Sequence, residues 1–180
     1  MTASRFFHLP LLLIVTTAGL FFAACSPKPP PDPRTAPVSA ATPQDFAKWK
    51  SAAFAKLTPA EREEFDRCIN EIRNQVRNES RSRNEAGGDA AVAQAVCERV
   101  NGKTIREVLI MAYTLEVEWV ARELAQRREL LAQTDARLDG PGSEESKTSV
   151  RSYRVAVANV VGNLEKRLVR TKARLEELQP

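Results

Sequence analysis

The sequence predicts an all-α protein, an antiparallel helical bundle dominated by a long C-terminal αα-hairpin with coiled-coil character. Three observations lead to this prediction. From residue 44 onward, apolar residues recur at intervals of three or four, which is the spacing of one helix face. Helix-start signals precede the apolar runs, and a glycine-containing reversal at 139–143 separates the two longest runs. A shorter helical pair before the hairpin completes the predicted domain.

Residues 1–24 have the pattern of an export signal. Arg5 precedes an apolar run that is too short to cross a bilayer of about 30 Å comfortably. Its end, Phe22-Ala23-Ala24-Cys25, resembles the lipobox of bacterial lipoproteins, with Phe22 in place of the usual leucine. The resemblance implies cleavage after residue 24 and acylation of Cys25, with palmitate among the attached chains. An uncleaved membrane anchor and plain secretion are the alternative interpretations.

The residue after the lipobox cysteine bears on localisation. The resemblance to lipoproteins implies that Ser26, in place of aspartate, directs the chain to the outer membrane, facing the periplasm. The inner membrane stays open as an alternative. Several acyl chains on one cysteine hold a protein at a membrane far more firmly than a single chain.

Residues 25–43 are predicted to form the acylated cysteine and a proline-rich tether. Seven of the eleven prolines and no aromatic residue fall between 26 and 43. Polyproline II geometry extends such a segment by about 3.1 Å per residue, so it would span roughly 50 Å. We expect this segment to lie outside the hydrophobic core.

The cysteine count suggests a disulfide. Assigning Cys25 to the lipid leaves Cys68 and Cys97 as a pair in an oxidising compartment. Both cysteines lie on apolar helix faces, so two antiparallel helices could bring them together. We predict a disulfide between them, which would stabilise the fold by about 3 to 4 kcal/mol. Two buried free thiols are the alternative.

Residues 44–101 are predicted to form short helices. Thr42-Pro43 is a helix start, and Thr58-Pro59-Ala60-Glu61 has the pattern of a capping box. Aromatic residues of the first helix either insert into a membrane interface or dock on the hairpin, and we favour docking. The predicted buried stripes of the next two helices are Phe65, Cys68, Ile69, Ile72 and Val76, then Val92, Val96, Cys97 and Val100.

Residues 102–139 and 144–179 are predicted to be the arms of the hairpin. The first arm has apolar residues seven apart, from Ile110 through Val117, Leu124 and Leu131 to Leu138. The second arm has its own predicted stripe, which consists of Val150, Tyr153, Val157, Val161, Leu164, Leu168, Thr171, Leu175 and Leu178. Residues 103–139 carry six basic and seven acidic side chains, whereas residues 147–180 carry eight basic and three acidic ones. Opposite charge favours adjacency of the arms, although the apolar seam must supply most of the stabilisation.

Reactive groups are scarce in the predicted mature chain. The one histidine, His8, belongs to the predicted signal peptide, so most familiar acid-base and metal sites are excluded. The paired acidic residues are better interpreted as solvated helix faces than as catalytic pairs. We therefore expect no enzyme, no metal site and no cofactor. The acidic pairs are Glu63-Glu64, Glu116 with Glu118, Glu144-Glu145 and Glu176-Glu177.

The second arm offers a candidate binding surface. Its excess of basic residues could contact phosphates of lipids or lipopolysaccharide, or an acidic protein, although cations also simply keep a helix soluble. No aromatic interleaving suggests nucleic acid, so we expect none. The candidate residues are Arg151, Arg154, Lys166, Arg167, Arg170 and Arg174.

A second, short resemblance concerns residues 57–62. Leu57-Thr58-Pro59-Ala60-Glu61-Arg62 resembles the leucine-threonine motif of periplasmic helical-hairpin chaperones and metal-stress sensors. That resemblance implies a periplasmic chaperone or envelope-stress sensor. The lipobox resemblance implies membrane anchoring through the lipid on Cys25, and the scarcity of reactive groups favours a non-enzymatic adaptor, so we expect the membrane and an envelope protein as partners. Homo-oligomerisation is left open.

Overall fold

Helices are the only regular secondary structure in the part of the chain that the structure describes. The structure is a computed structural model that describes residues 32–83 and 88–179. The predicted signal peptide, the predicted acylation site Cys25 and the start of the tether lie outside the described residues. Over the described residues the helices are α1 (Pro43–Phe54), α2 (Pro59–Ser82), α3 (Asp89–Val100), α4 (Ile105–Asp139) and α5 (Glu144–Leu178).

The helix starts follow the capping signals in the sequence. The Thr42 side chain accepts a hydrogen bond from the backbone of Asp45 at the start of α1. Thr58 and Thr104 each form a complete capping box with the glutamate three residues later, Glu61 and Glu107. Each capping box satisfies backbone N–H groups that would otherwise lack a partner, which places the helix start at a defined residue.

The hairpin of α4 and α5 is the longest feature of the described chain. Both helices have 35 residues, which corresponds to about 50 Å each. Arg106 near the start of α4 donates a hydrogen bond to the carbonyl of Leu178 at the end of α5. Arg128, further along α4, pairs with Glu165 at an earlier position of α5. These contacts show that the two helices run antiparallel.

The apolar side chains form two separate cores. The base core joins α1, α2 and α3 to the start of α4 and the end of α5, with Phe65, Ile72 and Val108 completely buried. The hairpin core holds Val120 and Leu124 of α4 against residues of α5. Helix α2 packs on both α3 and α4, and α1 packs on α3. The base core covers the apolar side chains on the first turns of α4.

The aromatic residues of α1 dock on α2. The rings of Phe46, Trp49 and Phe54 each lie 5.7 to 6.4 Å from the ring of Phe65, measured between centroids. Offset and edge-on ring pairs at such distances are favourable beyond the burial of area. The predicted docking of this helix is therefore correct, although its partner ring belongs to α2 and not to the hairpin.

The segment before α1 differs from the expected free tether. Val38 is 1% exposed and Ala40 is fully buried, and both belong to the base core. The Val38 N–H donates to the carbonyl of Lys103 at 2.7 Å, and the Gly102 N–H donates to the carbonyl of Val38 at 2.9 Å. The expectation that residues up to 43 lie outside the core is wrong for this stretch, because its apolar side chains find a groove beside the turn before α4.

The predicted disulfide is absent. Cys68 and Cys97 are both buried free thiols, which was the alternative interpretation. The charged groups around the Cys68 thiol are Arg67, Glu64 and others of α2 and α4, whereas Cys97 lies near Glu98 and Asp45. Both thiols lie in the base core, yet no bond joins them. A place on an apolar stripe ensures burial, but a disulfide also requires that the two Cβ atoms approach closely.

Candidate functional site

A buried carboxylate lies between the two apolar cores. The Glu116 side chain is only 6% exposed and accepts hydrogen bonds from arginines of two other helices. Arg67 Nη1 of α2 donates to Glu116 Oε2 at 2.9 Å, and Arg167 Nε of α5 donates to Glu116 Oε1 at 2.8 Å. This carboxylate therefore connects α2, α4 and α5 at the level where the base core ends.

Aromatic rings orient both arginines. The guanidinium of Arg67 lies over the ring of Tyr113 at 4.8 Å, and that of Arg167 lies over Trp119 at 5.0 Å. Burial alone would raise the pKa of Glu116, but the hydrogen bonds from Arg167 and Arg67 outweigh burial and lower it. Glu116 is thus held as a charged carboxylate, although little water reaches it.

A second polar cluster adjoins the first. Arg174 of α5 donates to both oxygens of Glu64, at 2.8 and 3.0 Å, and its Nη1 donates to Glu177. The Tyr113 hydroxyl donates to Glu64 Oε1 at 2.6 Å. The hydrogen bond from Arg174 is the main cause that lowers the pKa of Glu64. Burial and the bond to Glu64 together raise the pKa of Tyr113 to about 12.

These side chains surround a cavity of about 420 Å³, which we name the arginine cavity. Arg174 pairs with two carboxylates, Glu64 and Glu177, neither of which lines the cavity. Arg67 and Arg167 share Glu116, and Arg170 has no ion-pair partner among the described residues. The lining residues are Arg67, Tyr113, Glu116, Arg167, Arg170, Thr171 and Arg174.

The predicted cationic surface is only partly available. Arg151 pairs with Glu144 at 3.2 Å and Arg154 pairs with Asp135, while Arg167 and Arg174 make the internal bonds described above. Lys166 and Arg170 are exposed and have no ion-pair partner within the described chain. Four of the six candidate residues therefore form ion pairs within the protein, and two do not. Only these two, Lys166 and Arg170, can bind an external anion without first giving up a carboxylate of the protein.

Exposed apolar side chains concentrate on α5. Among the described residues, the exposed large apolar side chains are Trp119 of α4 and four residues of α5. Val155 is 58% exposed and Val169 is 69% exposed. Val155, Gly162 and Val169 are seven residues apart, so they follow one line along the helix. We call this line, with the adjacent Lys166 and Arg170, the outer face of α5.

Sequence reasoning missed the buried carboxylate. Glu116 was interpreted as part of a solvated acidic pair with Glu118, and the structure corrects this for Glu116, because Glu118 is exposed and Glu116 is not. The available signal was the helical stripe through Tyr113 and Val120, on which Glu116 falls by the alternation of three and four. Nothing comparable in the sequence indicated Arg67 as its partner.

Two further findings concern membrane-spanning helices and the comparison with known proteins. Over the residues that the structure describes, none of the helices is both long and apolar enough to cross a membrane. Comparison with protein-family models, with curated proteins and with solved structures finds no match to this chain.

Proposed function

We propose that this protein is a lipid-anchored adaptor of the bacterial envelope that binds a partner protein along the outer face of α5. The lipobox-like end of the export signal supports the anchor on Cys25. The rigid hairpin of α4 and α5 supports a role in contact, since it presents a surface about 50 Å long. The proposed location is the outer membrane, facing the periplasm.

The observation that carries the proposal is Gly162 in the middle of α5. A Cβ atom built at Gly162 would have no neighbour within 4 Å, so packing within the domain does not require glycine there. Glycine inside a helix is less favourable than alanine by about 0.5 to 1 kcal/mol. Between exposed Val155 and Val169, the missing side chain leaves a notch into which another helix can approach closely.

Charge defines the chemistry of the partner. Lys166 and Arg170 lie beside the apolar line and have no ion-pair partner among the described residues. An amphipathic helix with apolar residues at heptad spacing and acidic flanking residues matches both features. The proposed partner is therefore an envelope protein with an acidic amphipathic helix.

The chain enters the helical domain at one end of the hairpin. Residues 38 and 40 dock beside the turn that precedes α4, and Leu178 at the end of α5 belongs to the same base core. The chain thus enters the domain at the end of the hairpin opposite to its reversal at 140–143. The outer face of α5 therefore runs along the helix from this end of the domain to the reversal.

Site-specific crosslinking in intact envelopes tests the proposal. A photoreactive residue at position 169 is expected to capture one partner in stoichiometric amount, whereas the same residue at exposed Ala125 of α4 is not. Lys166→Glu is expected to reduce capture at least about fivefold, because it places a negative charge against an acidic helix. Capture that is equal from both positions, or unaffected by Lys166→Glu, would contradict the proposed interface.

The anchor and the alternative function have separate tests. Fatty-acid labelling of cells is expected to mark the wild-type protein and to be lost in Cys25→Ala. A chaperone of unfolded clients would instead suppress the aggregation of model substrates without a defined partner. Such suppression, together with the absence of a stoichiometric crosslink, would replace the adaptor by the chaperone.

A further inference from the structure

The arginine cavity has the composition of an anion site. Three arginines from two helices, Arg67, Arg167 and Arg170, line it without being fully neutralised by their neighbours. Arg67 and Arg167 each use one nitrogen on Glu116, so their other N–H groups are available to a ligand. Stacking on Tyr113 and Trp119 holds these two guanidinium groups in place before any ligand arrives.

The charge count leaves the cavity positive. Two further carboxylates of α2, Glu64 and Glu71, lie near Arg67 but do not line the cavity, and burial is the main cause that raises the pKa of Glu71. Among the residues that line the cavity, four arginines face one carboxylate, that of Glu116, so the lining itself is positive. Positive charge in a cavity attracts anions, although water screens part of the attraction here, because the side chains of Arg67 and Arg167 are 49% and 40% exposed.

The size and chemistry of the lining narrow the ligand class. The volume of about 420 Å³ falls in the range of roughly 300 to 1,000 Å³ that is common for small-molecule sites. Thr171 is only 5% exposed and adds a hydroxyl to the lining. A planar carboxylate is matched by a single guanidinium fork, whereas a tetrahedral anion can accept from several guanidinium groups in different directions.

We propose that the arginine cavity between α2, α4 and α5 binds a phosphate group, carried by a lipid headgroup or by a soluble phosphate compound. The cavity shares Arg170 with the outer face of α5, but its test uses the purified protein alone, where no partner protein contacts that residue. Arg170 is the most informative residue to substitute, because it forms no ion pair within the described chain that a phosphate would have to displace. Glu116 acts as the internal competitor of the ligand for Arg67 and Arg167.

The test uses the full-length protein in neutral detergent. Inorganic phosphate is titrated at constant ionic strength, balanced with chloride, and the dissociation constant is measured by calorimetry and by the rise in melting temperature. Arg170→Gln is expected to weaken phosphate binding at least about fivefold. The matched control is Lys172→Gln, which removes the same charge from an exposed residue of α5 outside the cavity and is expected to change binding less than about twofold.

Glu116→Gln gives a result of opposite sign. Removing the competing carboxylate is expected to tighten phosphate binding about tenfold, and phosphate is expected to raise the melting temperature of this variant more than that of the wild type. A merely structural role of Glu116 predicts no such gain. If this variant does not fold, the comparison of Arg170→Gln with Lys172→Gln decides the question.

A second titration distinguishes the two sources of phosphate. Glycerophosphoglycerol, a soluble phosphodiester that represents a lipid headgroup, is compared with inorganic phosphate. Tighter binding of the diester assigns the cavity to a headgroup, and tighter binding of inorganic phosphate assigns it to a soluble phosphate. The inference is overturned if neither compound binds, if Arg170→Gln and Lys172→Gln weaken binding equally, or if folded Glu116→Gln binds phosphate more weakly than the wild type.

Discussion

Replacing Glu116 by glutamine tests whether the polar layer between the two cores stabilises the fold. Glutamine keeps the shape of the side chain but removes the charge that Arg67 and Arg167 share. Removing one partner of a fully buried ion pair costs about 3 to 5 kcal/mol. The arginine side chains are 49% and 40% exposed, so water partly replaces the lost carboxylate. We therefore expect the free energy of unfolding to fall by about 2 kcal/mol.

Urea denaturation followed by helical circular dichroism at pH 7, in phosphate-free buffer, measures this loss. A change of about 2 kcal/mol corresponds to a fall of roughly 4 to 8 °C in melting temperature for a domain of this size. Glu118→Gln is the matched control, since Glu118 is exposed on the same helix, and we expect it to change stability by less than about 0.5 kcal/mol. Equal effects of the two substitutions would refute the reasoning.

The pH dependence supplies a second check on the same residue. The pKa of Glu116 is lower in the folded protein than its ordinary value, as is that of Glu64. The stabilisation from these carboxylates is therefore complete above their ordinary pKa of about 4.3, and it is lost as the pH falls through the lowered folded-state pKa. The stability difference between wild type and Glu116→Gln is expected to shrink below about pH 4. A difference that stays constant down to pH 3 would contradict this assignment.

Three other features of the fold have direct tests. Gly162→Ala is expected to raise the free energy of unfolding by about 0.5 to 1 kcal/mol, since the added methyl group meets no neighbour. The same substitution is expected to reduce crosslinking from position 169. A destabilised variant would contradict the open notch. A maleimide is expected to label Cys68 and Cys97 in denatured, unreduced protein. It is expected to react slowly with the native protein, where burial raises the pKa of Cys68 to about 12. Absence of labelling after denaturation would show that the thiols are not free. Val38→Asp is expected to speed tryptic cleavage after Arg34 about tenfold, because it releases residues 38–40 from the base core. Ser39→Asp, at the exposed neighbouring residue, is expected to leave the cleavage rate unchanged. Equal rates for the two variants would mean that docking does not protect this stretch.

The hairpin illustrates what apolar spacing could and could not predict. The stripe predicted for the second arm is largely correct, since Val157, Val161 and Leu164 are buried on α5. Tyr153 was placed on the same stripe but is 49% exposed. In the first arm, Val117 was placed on the seam, whereas the structure buries Glu116 beside it. The spacing of apolar residues predicts the buried face of a helix to within about one residue. The packing of the neighbouring helices then decides which residues of that face are buried.

Local sequence alone determined the helical class of this protein, the starts of its helices and the reversal that makes the hairpin. Capping residues, apolar spacing and turn residues act over a few positions, so they can be recognised without knowing the rest of the fold. Only the tertiary structure decided that Cys68 and Cys97 are free thiols, that Val38 joins the core, and that Glu116 is bound by arginines from two other helices. Each of these outcomes depends on which distant residues become neighbours, and that is set by the packing of whole helices.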